Sequence, residues 1–407
     1  MAEQHGKTLV PQIRFAGFTD PWEQRKLGEL FEEHSEKDRD DLPALTIIQG
    51  GGTVHRDESN RNLQFDRNSL SNYKVVDTGD FIVHLRSFEG GLEKATCCGL
   101  VSPAYHIFRG KNVDSDFYYL YFRSKRFIDA DLKPHVYGIR DGRSIDIEGM
   151  KTIFIPWTNL AEQRRIGAFF DHLDSLITLH QRKYDKLCVL KKSMLDKMFP
   201  KGGSLYPEIR FAGFTDPWEQ RKLGELTEIK DSARIPNRLW REAGVPYIRA
   251  SDISQEDLRG ALFIDEEDYA AYKAATGAPE KGDVLFNGGG EIGKAIINGN
   301  SSPIYVQGGA VLYARIAHSS LLDARYLVAA FVTQNVVNAI GVLSAGGTMK
   351  HFTLQPAKNL PIEVPSIAEQ RRIGAFFDRL DSLITLHQRK LELLRNIKKS
   401  MLDKMFV

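Results

Sequence analysis

The 407-residue sequence has few cysteines, no long apolar run and almost no net charge. Cys97, Cys98 and Cys188 lack Cys-x-x-Cys spacing, which argues against a disulfide framework and against a structural zinc site. No apolar segment reaches the roughly 18–20 residues that cross a bilayer, and residues 1–12 lack the basic and apolar regions of a secretory signal. We therefore expect a cytoplasmic protein without a membrane partner.

Motifs for catalysis or cofactor binding are also missing. The sequence has no methyltransferase motif, no glycine-rich S-adenosylmethionine signature and no arguable catalytic or metal-binding constellation. The stretch 288–294 resembles a P-loop, but Ala295 stands where a hydroxyl would bind Mg²⁺, and the following residues predict a strand instead of a helix. We predict no catalytic residue and no metal or cofactor site on the chain; a P-loop nucleotide-binding protein stays as a remote alternative.

Two internal repeats are the main positive feature. Ile13–Leu30 recurs without change as Ile209–Leu226 (the A segments), and residues 162–199 recur as 369–406 with seven differences (the B segments). The intervening stretches, X (31–160) and Y (227–367), share almost no obvious identity. A recent duplication alone would have left X and Y as similar as A and B. The chain is therefore a duplicated pair of domains in which either the constant parts are held alike or X and Y are exchanged independently of them.

Each B segment predicts one long helix with a coiled-coil seam. Apolar residues recur at alternating steps of four and three, as in a heptad repeat, and Lys191 and Lys398 are expected to extend out of the seam. The two histidines of the seam are predicted to form a polar layer that sets its register. The predicted seam comprises Ile166, Phe170, Leu173, Ile177, His180 and Leu187 in the first helix, and Ile373, Phe377, Leu380, Ile384, His387 and Leu394 in the second.

The ends and the charges of these helices are also readable. Asn159 and Ser366 stand three residues before Glu162 and Glu369, which is the spacing of a capping box. Residues 162–199 carry eight Lys or Arg and five Asp or Glu, whereas X and Y are slightly acidic. A basic helix surface is compatible with nucleic acid or with an acidic protein surface.

X and Y each predict a mixed α/β domain of similar plan. Short β-favouring runs alternate with glycines, and one helix is expected in each, at 116–130 and 323–338. The expected fold class is α+β, with two such domains, two long paired helices and a pseudo-twofold internal repeat. Because the A segments did not diverge with their neighbours, we predict packing as the main role of their aromatic residues, and docking as the second, for Phe15, Trp22, Phe211 and Trp218.

Three polar, glycine-bearing loop clusters in each domain are candidates for contacts with DNA bases or phosphates. Arginine, lysine, asparagine and hydroxyl side chains on such loops are the groups that make these contacts. The candidates are Thr53, His55, Arg56, Arg86, Ser87, Tyr137, Arg140, Arg143 and Ser144 in X, and Arg249, Ser251, Asn287, Lys294, Thr348, Lys350 and His351 in Y.

The chain resembles the specificity (S) subunits of type I restriction–modification enzymes. The match rests on FAGFTDPWEQRKLGEL in each A segment and on AEQRRIGAFFDxLDSLITLHQRK from Ala161 and Ala368. KGDVLFNGGGEIGKAII at Lys281–Ile297 and LPIEVPSIAEQ at Leu360–Gln370 resemble the family's recognition domain and helix start. X departs from this pattern at Trp157–Thr158, where the family has a proline-rich lead into the helix.

The resemblance implies two target-recognition domains, 1–160 and 201–367, and two spacer helices, 161–200 and 368–407, that pair antiparallel. Each domain would read one half of a bipartite site on double-stranded DNA, without catalysis by this chain. Two modification (methyltransferase) subunits would dock on it with S-adenosylmethionine, and restriction subunits would use ATP with Mg²⁺. A coiled-coil adaptor that binds only proteins is the alternative.

Overall fold

The computed structural model describes residues 10–58, 67–84, 91–137, 144–346 and 350–406. The chain forms two compact units: unit 1 comprises Met1–His180 with Lys390–Val407, and unit 2 comprises Gln181–Arg389. Each unit therefore contains one A segment, one of the divergent stretches, and parts of both B segments.

A four-stranded antiparallel sheet forms the centre of the X part of unit 1, in the order β2-β9-β6-β7. Strands β1 and β12 pair antiparallel, with Glu23 opposite Trp157, and so join the A segment to the end of X. The strands are β1 Glu23–Lys26, β2 Phe31–His34, β3 Leu45–Ile48, β4 Gly52–His55, β5 Lys74–Val76, β6 Phe81–His84, β7 Glu93–Lys94, β8 Gly99–Val101, β9 Tyr105–Gly110, β10 Val136–Tyr137, β11 Ser144–Ile145 and β12 Phe154–Trp157. The helices are α1 Leu27–Leu30, α2 Ser115–Phe122 and α3 Ile147–Lys151, with a π-helix at Phe127–Leu132.

Unit 2 repeats this plan. Its four-stranded antiparallel sheet has the order β14-β20-β17-β18, a second sheet has the order β16-β15-β19, and β13 pairs with β21 as β1 does with β12. The strands are β13 Glu219–Lys222, β14 Ile229–Asp231, β15 Val245–Ile248, β16 Phe263–Ile264, β17 Val284–Asn287, β18 Ala295–Ile297, β19 Tyr305–Val306, β20 Val311–Ala314 and β21 Pro361–Val364. The helices are α5 Leu223–Leu226, α6 Ala250–Ser254, α7 Glu266–Thr276, α8 Ala324–Phe331, α9 Gln334–Leu343 and α10 Leu354–Lys358.

The B segments form the long helices α4 (Leu160–Met198) and α11 (Ile367–Met405), as predicted. Within unit 1, Glu162 and Phe406 both contact Trp22, and Asp174 pairs with Lys398, so the two helix segments run antiparallel. Unit 2 shows the same direction, since Phe199 packs on Phe377 while Lys191 pairs with Asp381. The antiparallel pairing that the resemblance implied is thus present in each unit.

The predicted seam is best buried toward the helix ends. Ile166, Phe170 and Leu173 lie in the core of unit 1, and their repeats Ile373, Phe377 and Leu380 lie in the core of unit 2. Toward the middle, Ile177, His180, Leu187, Ile384, His387 and Leu394 are half-buried. Lys191 and Lys398 reach a carboxylate on the other helix, at 2.5 Å and 2.6 Å.

The first turns of the long helices confirm one hydrogen bond of the predicted capping box and contradict the other. Asn159 Oδ1 accepts a hydrogen bond from the Glu162 amide at 2.9 Å, as expected. The Glu162 carboxylate does not return to the cap; it accepts two hydrogen bonds from Arg14, at 2.6 and 2.7 Å, and Glu369 does the same with Arg210. Because both glutamates are buried, each ion pair fixes an A segment to the helix that follows X or Y.

A second joint attaches X and Y to these helices through backbone groups. Gln163 Oε1 accepts a hydrogen bond from the amide of Asp114, the residue that caps α2, at 2.9 Å. Gln370 Oε1 accepts one from the amide of Asp323, which caps α8, at 3.0 Å. Because the constant helix contacts a main-chain amide, the side chains of X and Y are free to differ at this joint.

The aromatic residues of the A segments pack as predicted. Trp22 and Trp218 are buried, at 2% and 1% exposure. Phe15 lies edge-on to Phe169, with ring centroids 5.6 Å apart, and Phe211 lies edge-on to Phe376 at 6.1 Å. The A segments thus belong to the two cores.

The helices predicted within X and Y are each interrupted. The predicted 116–130 helix divides into α2 and the π-helix, and 323–338 divides into α8 and α9. In the parts of the chain that the structure describes, no single helix is long and apolar enough to span a membrane. Helices α8 and α9 together have the length and composition of a span, but the chain bends by 74° between them. Phe331 and Ile340 of this bent pair lie in the core of unit 2.

Candidate nucleic-acid interface

The strand that leads to the candidate loops begins at the same kind of turn in both units. In unit 2, Asp283 accepts a hydrogen bond from the Glu280 amide at 2.8 Å, and its carboxylate lies 3.4 Å from Arg315. Burial raises the pKa of Asp283, against the lowering effect of Arg315. In unit 1, Asp80 bonds to the Asp77 amide at 2.8 Å and to Arg109 at 2.9 Å.

This aspartate–arginine pair was missed by sequence reasoning. The Gly-Asp dipeptides at 79–80 and 282–283 are visible in the sequence, but Arg109 and Arg315 follow them at unequal distances. Only the pairing of β6 with β9, and of β17 with β20, brings each arginine to its aspartate. The pair shows that the two unlike domains share one scaffold beneath their loops.

In unit 2 the scaffold brings the three predicted loop clusters together around Asn287, at the end of β17. Asn287 is fully buried, and its Nδ2 donates to the Ala250 carbonyl at 3.0 Å and to Ser254 Oγ at 3.1 Å. The next carbonyl, that of Gly288, accepts a hydrogen bond from the Phe352 amide at 2.7 Å. Asn287 therefore positions the loops and is not itself available to a ligand.

Gly288 is required for this convergence. A Cβ at residue 288 would lie 2.5 Å from the Phe352 carbonyl oxygen, so any other residue would separate the two loops. Gly289 faces His351, and a Cβ at residue 289 would lie 3.6 Å from its ring. The glycines at the start of this loop thus serve a close loop–loop approach.

The same loop confirms that the P-loop resemblance is superficial. Lys294 precedes strand β18, which pairs antiparallel with β17, so the glycine-rich stretch is the turn of a hairpin and does not start a helix. The Lys294 ammonium pairs with Glu256 at 2.7 Å.

Polar side chains line the outer side of this convergence. Arg249 is half-buried and its guanidinium is held by Asp252, with Nη2 3.1 Å from Oδ1. Ser251, Lys350 and His351 are exposed, and His351 lies in an isolated β-bridge with Ala345. Thr348 lies outside the described residues.

In unit 1, five of the nine candidate residues are described. Thr53 is buried, and its hydroxyl accepts hydrogen bonds from the Thr96 and Cys97 amides at 3.0 and 3.2 Å, which makes it a packing residue of the β3–β4 hairpin. His55 and Arg56 are half-buried, and the Arg56 guanidinium lies 5.9 Å from the centre of the Tyr73 ring.

A second loop of unit 1 is a hairpin whose base is described. Tyr137 is 60% exposed and stands opposite Ser144 in the β10–β11 pair. Arg140 and Arg143 belong to the connecting loop and lie outside the described residues, as do Arg86 and Ser87.

Comparison with known proteins gives this arrangement a context. A sequence model of the type I restriction modification DNA specificity domain matches residues 215–396. The MjaVIII specificity subunit of a type I restriction enzyme from Methanocaldococcus jannaschii is 22% identical over 328 residues, which cover 75% of this chain and 73% of that protein. A putative type I specificity subunit from Haemophilus influenzae is 24% identical over 164 residues, 40% of each chain.

A solved structure matches along the whole length. The crystal structure of the S subunit of a type I restriction–modification system from M. genitalium superposes with a TM-score of 0.56, over 98% of this chain and 99% of that one. The sequences are 17% identical, so the likeness is one of fold.

Proposed function

We propose that each unit of this chain reads one half of a bipartite DNA target, as part of a non-catalytic specificity subunit of a type I restriction–modification system. The proposal rests on one observation. The two units have the same strand order in their four-stranded sheets, the same Asp–Arg pair and the same contacts between constant and variable segments, but their loops differ in sequence. A constant scaffold with unlike loops suits two unlike half-sites.

In unit 2, the proposed reading surface consists of Arg249, Ser251, Lys294, Lys350 and His351. Arginine and lysine bind guanine edges or phosphates, and the exposed hydroxyl and imidazole suit base edges. Thr53 and Asn287 are left out because their side chains are buried in the packing of the loops. In unit 1, the proposed contacts with described positions are Tyr137 and Ser144, and Arg140 and Arg143 are proposed from the sequence alone.

The acidic balance of X and Y limits how tightly this chain would bind DNA alone, because affinity for the duplex depends on phosphate contacts from Lys and Arg. We propose that two modification subunits dock on the A and B segments and supply the remaining contacts with the DNA. They would supply S-adenosylmethionine and methylate adenine, and restriction subunits would add ATP- and Mg²⁺-dependent cleavage. This chain would hold no cofactor of its own.

Methylome sequencing of a host that expresses this chain with its modification subunit tests the half-site proposal. We expect a bipartite, asymmetric motif. Replacing Y by a second copy of X should turn the motif into an inverted repeat of the X half-site. An unchanged motif after this replacement would show that the units do not each read their own half.

Single substitutions then separate base contacts from phosphate contacts. Lys350→Ala should relax discrimination at one base pair of the Y half-site by about 1–3 kcal/mol if Lys350 binds a base edge, and should weaken binding to all sequences alike if it binds phosphate. Lys273→Ala is the matched control, since Lys273 is an exposed lysine of helix α7, outside the three loop clusters. A Lys350→Ala profile identical to that of the control would remove Lys350 from the surface.

Arg143→Ala makes the same test for the X half-site, with the same expected range of about 1–3 kcal/mol for a bidentate guanine contact. The readout is the cleavage or methylation rate on a set of single-base variants of the target.

The two long helices are proposed to set the distance between half-sites. Inserting one heptad after Leu187, and another at the point of α11 that faces it, preserves the seam and lengthens the pair by about 10 Å at ~1.5 Å per residue. On B-DNA this is roughly three base pairs. We expect unchanged half-sites separated by a gap that is longer by two to four base pairs. An active double-insertion variant with the original gap would contradict the proposal.

A further inference from the structure

The turn that follows helix α2 in unit 1 carries a cluster of basic side chains. Residues 123–126 read Arg-Ser-Lys-Arg, between the end of α2 and the π-helix. Arg123 is half-buried, whereas Lys125 and Arg126 are exposed. Among the residues that the structure describes, neither Lys125 nor Arg126 forms an ion pair. Two uncompensated positive charges therefore lie side by side on a domain whose net charge is slightly negative.

A buried carboxylate fixes this turn to the core of unit 1. Arg123 Nη1 donates a hydrogen bond to Glu93 at 3.0 Å, and Glu93 is 5% exposed. The same carboxylate accepts three further hydrogen bonds, from the Tyr119 hydroxyl at 2.6 Å and from the amides of Gly50 and Gly52 at 2.7 and 3.1 Å. Glu93 thus neutralises the guanidinium and holds the turn in place, while the two exposed side chains keep their charge for a ligand.

Unit 2 has the same helix without the basic turn. Helix α8 is as long as α2, and an aspartate caps each of them. After α8 the chain reads Val-Thr-Gln-Asn at 332–335, and residues 326–349 contain no lysine, arginine, aspartate or glutamate. Basic side chains can stabilise the end of a helix, but α8 forms without them. The basic turn is therefore a property of unit 1 alone and not of the shared scaffold.

The basic turn lies beside one of the candidate DNA loops of X. Gly91 comes four residues after the candidate Ser87, and it approaches the end of α2. A Cβ at residue 91 would lie 2.0 Å from the Phe122 carbonyl oxygen, so only glycine permits this approach. The turn is therefore at the end of the domain from which the candidate loop extends.

A cleft of about 740 Å³ lies between the basic turn and the long helices within unit 1. Lys125 and Arg126 line one side, and Asp174, Lys398 and Asp403 line the other. Asp174 and Lys398 neutralise each other at 2.6 Å, which leaves the exposed Asp403 opposite two free cations. The cleft therefore keeps a net positive charge and suits an anionic ligand.

We propose that Lys125 and Arg126 bind DNA phosphates in the gap next to the X half-site, and that unit 2 makes no such contact. The inference rests on the proposed function, in which α4 and α11 extend along the gap, so that the cleft beside them faces gap DNA. Adjacent free cations match a repeating phosphate backbone. The neighbouring candidate loop favours DNA over an acidic protein surface, and a partner that docks on the constant segments would meet these side chains in one unit only.

The salt dependence of DNA binding tests the contact. The full chain, in complex with its modification subunit, is titrated at several salt concentrations with a duplex that carries the target found by methylome sequencing. We expect Lys125→Ala and Arg126→Ala each to reduce the slope of log K against log[salt] by ~0.9, and the double variant to reduce it by ~1.8. The loss of affinity should be equal for all single-base variants of the two half-sites, because phosphate contacts carry no sequence information.

Two controls accompany these variants. Exchange of the two side chains, Lys125→Arg with Arg126→Lys, keeps both charges and should keep the wild-type slope. Lys111→Ala is the matched control for loss of a charge, because Lys111 is exposed and follows β9 at the end away from the loop after β6. It should leave the slope unchanged.

Methylphosphonate linkages, which lack the phosphate charge, locate the contact on the DNA. Placed one at a time, they should weaken wild-type binding at gap positions beside the X half-site and have no effect there on the double alanine variant. No sensitive gap phosphate in the wild type, or equal sensitivity in the double variant, would overturn the proposal.

The remaining outcomes separate this contact from the wider function. A double variant that keeps the wild-type slope but loses the modification subunit in native mass spectrometry would assign the turn to a protein partner and overturn the proposal. Specific binding with an unchanged slope in the double variant would contradict the phosphate contact alone. A wild-type complex that methylates no bipartite motif would instead contradict the proposed function.

Discussion

Where the A and B segments meet, the two copies have the same sequence but different hydrogen bonds. Glu162 accepts bonds from Arg14, from the Trp22 indole at 3.1 Å and from the Thr158 hydroxyl. Among the described side chains, Glu369 bonds only to Arg210, and the buried Trp218 indole nitrogen has no acceptor in range.

Part of this difference comes from the residue two positions before each helix. Position 158 is threonine at the end of X, and the corresponding position 365 is proline at the end of Y. The threonine hydroxyl donates to Glu162, whereas proline offers no such donor. Identical constant segments thus acquire unequal networks from the variable domain beside them, and we expect unequal stability of the two joints.

The largest effect should come from removing the buried glutamates. Glu162→Ala removes the acceptor of the half-buried Arg14 and of the buried Trp22 and Thr158 donors, and should destabilise unit 1 by about 3–5 kcal/mol. Glu369→Ala leaves only Arg210 without its acceptor. It should destabilise unit 2 by about 1–3 kcal/mol less than Glu162→Ala destabilises unit 1. Hydrogen exchange of the first turns of α4 and α11 in urea gives each joint its own reading, since a chain of two units need not unfold in one step. Equal losses for the two variants would contradict the comparison.

Glycine substitutions come next. A Cβ at Gly374 would lie 2.7 Å from the Tyr326 backbone nitrogen, and one at Gly167 would lie 2.6 Å from an Asp114 carboxylate oxygen. We expect alanine at either position to cost about 1–3 kcal/mol by overpacking, more at 374 because the main chain cannot move aside.

Gly341→Ala provides the control for the glycine series. Gly341 lies in helix α9, and a Cβ there would meet nothing within 4 Å. Alanine should therefore stabilise the protein by about 0.5–1 kcal/mol, measured by thermal unfolding of the same three variants. A loss at 341 as large as that at 374 would remove the steric explanation.

The tryptophans should differ by a smaller amount. Trp22→Phe removes a hydrogen bond to a carboxylate, whereas Trp218→Phe removes a buried N–H that has no acceptor. We expect Trp22→Phe to cost about 1–2 kcal/mol more. A double-mutant cycle with Glu162→Gln would show coupling for Trp22, and the corresponding cycle with Glu369→Gln should show none for Trp218.

The smallest effects belong to the two interhelical ion pairs. Asp174–Lys398 and Asp381–Lys191 are copies of one pair, and all four side chains are partly exposed. Lys398→Ala and Lys191→Ala should each cost at most about 1 kcal/mol and should do so equally. The loss should shrink at high salt, which urea unfolding at two salt concentrations can measure; unequal losses would mean that the variable domains also reach these pairs.

Local patterns in the sequence predicted the two long helices and their seam, because periodicity depends on near neighbours, whereas the single helices expected in X and Y are each interrupted. The partners of Glu162 and Gln163 could not be predicted this way, since Arg14 lies 148 residues from Glu162. Thr53 and Asn287 were predicted as ligand contacts because their residue types suit DNA, but the same polar groups also suit the buried hydrogen bonds that hold loops together. Which of the two roles a polar loop residue takes depends on tertiary packing.

The contacts at the far ends of the long helices make the order of segments along the chain less important than their order in space. The Ile209 amide bonds to the Lys197 carbonyl at 2.9 Å, across a short covalent connection, and the Ile13 amide bonds to the Lys404 carbonyl at 3.2 Å without one. Residues 197 and 209 are joined by the chain, and residues 404 and 13 by the hydrogen bond alone. The backbone contacts therefore close a circle that the covalent chain interrupts at one of two equivalent positions. Joining residue 406 to residue 13 through a copy of residues 200–208, and opening the chain between Gly202 and Gly203, would move the cut to the other place and leave the contacts of both units in register.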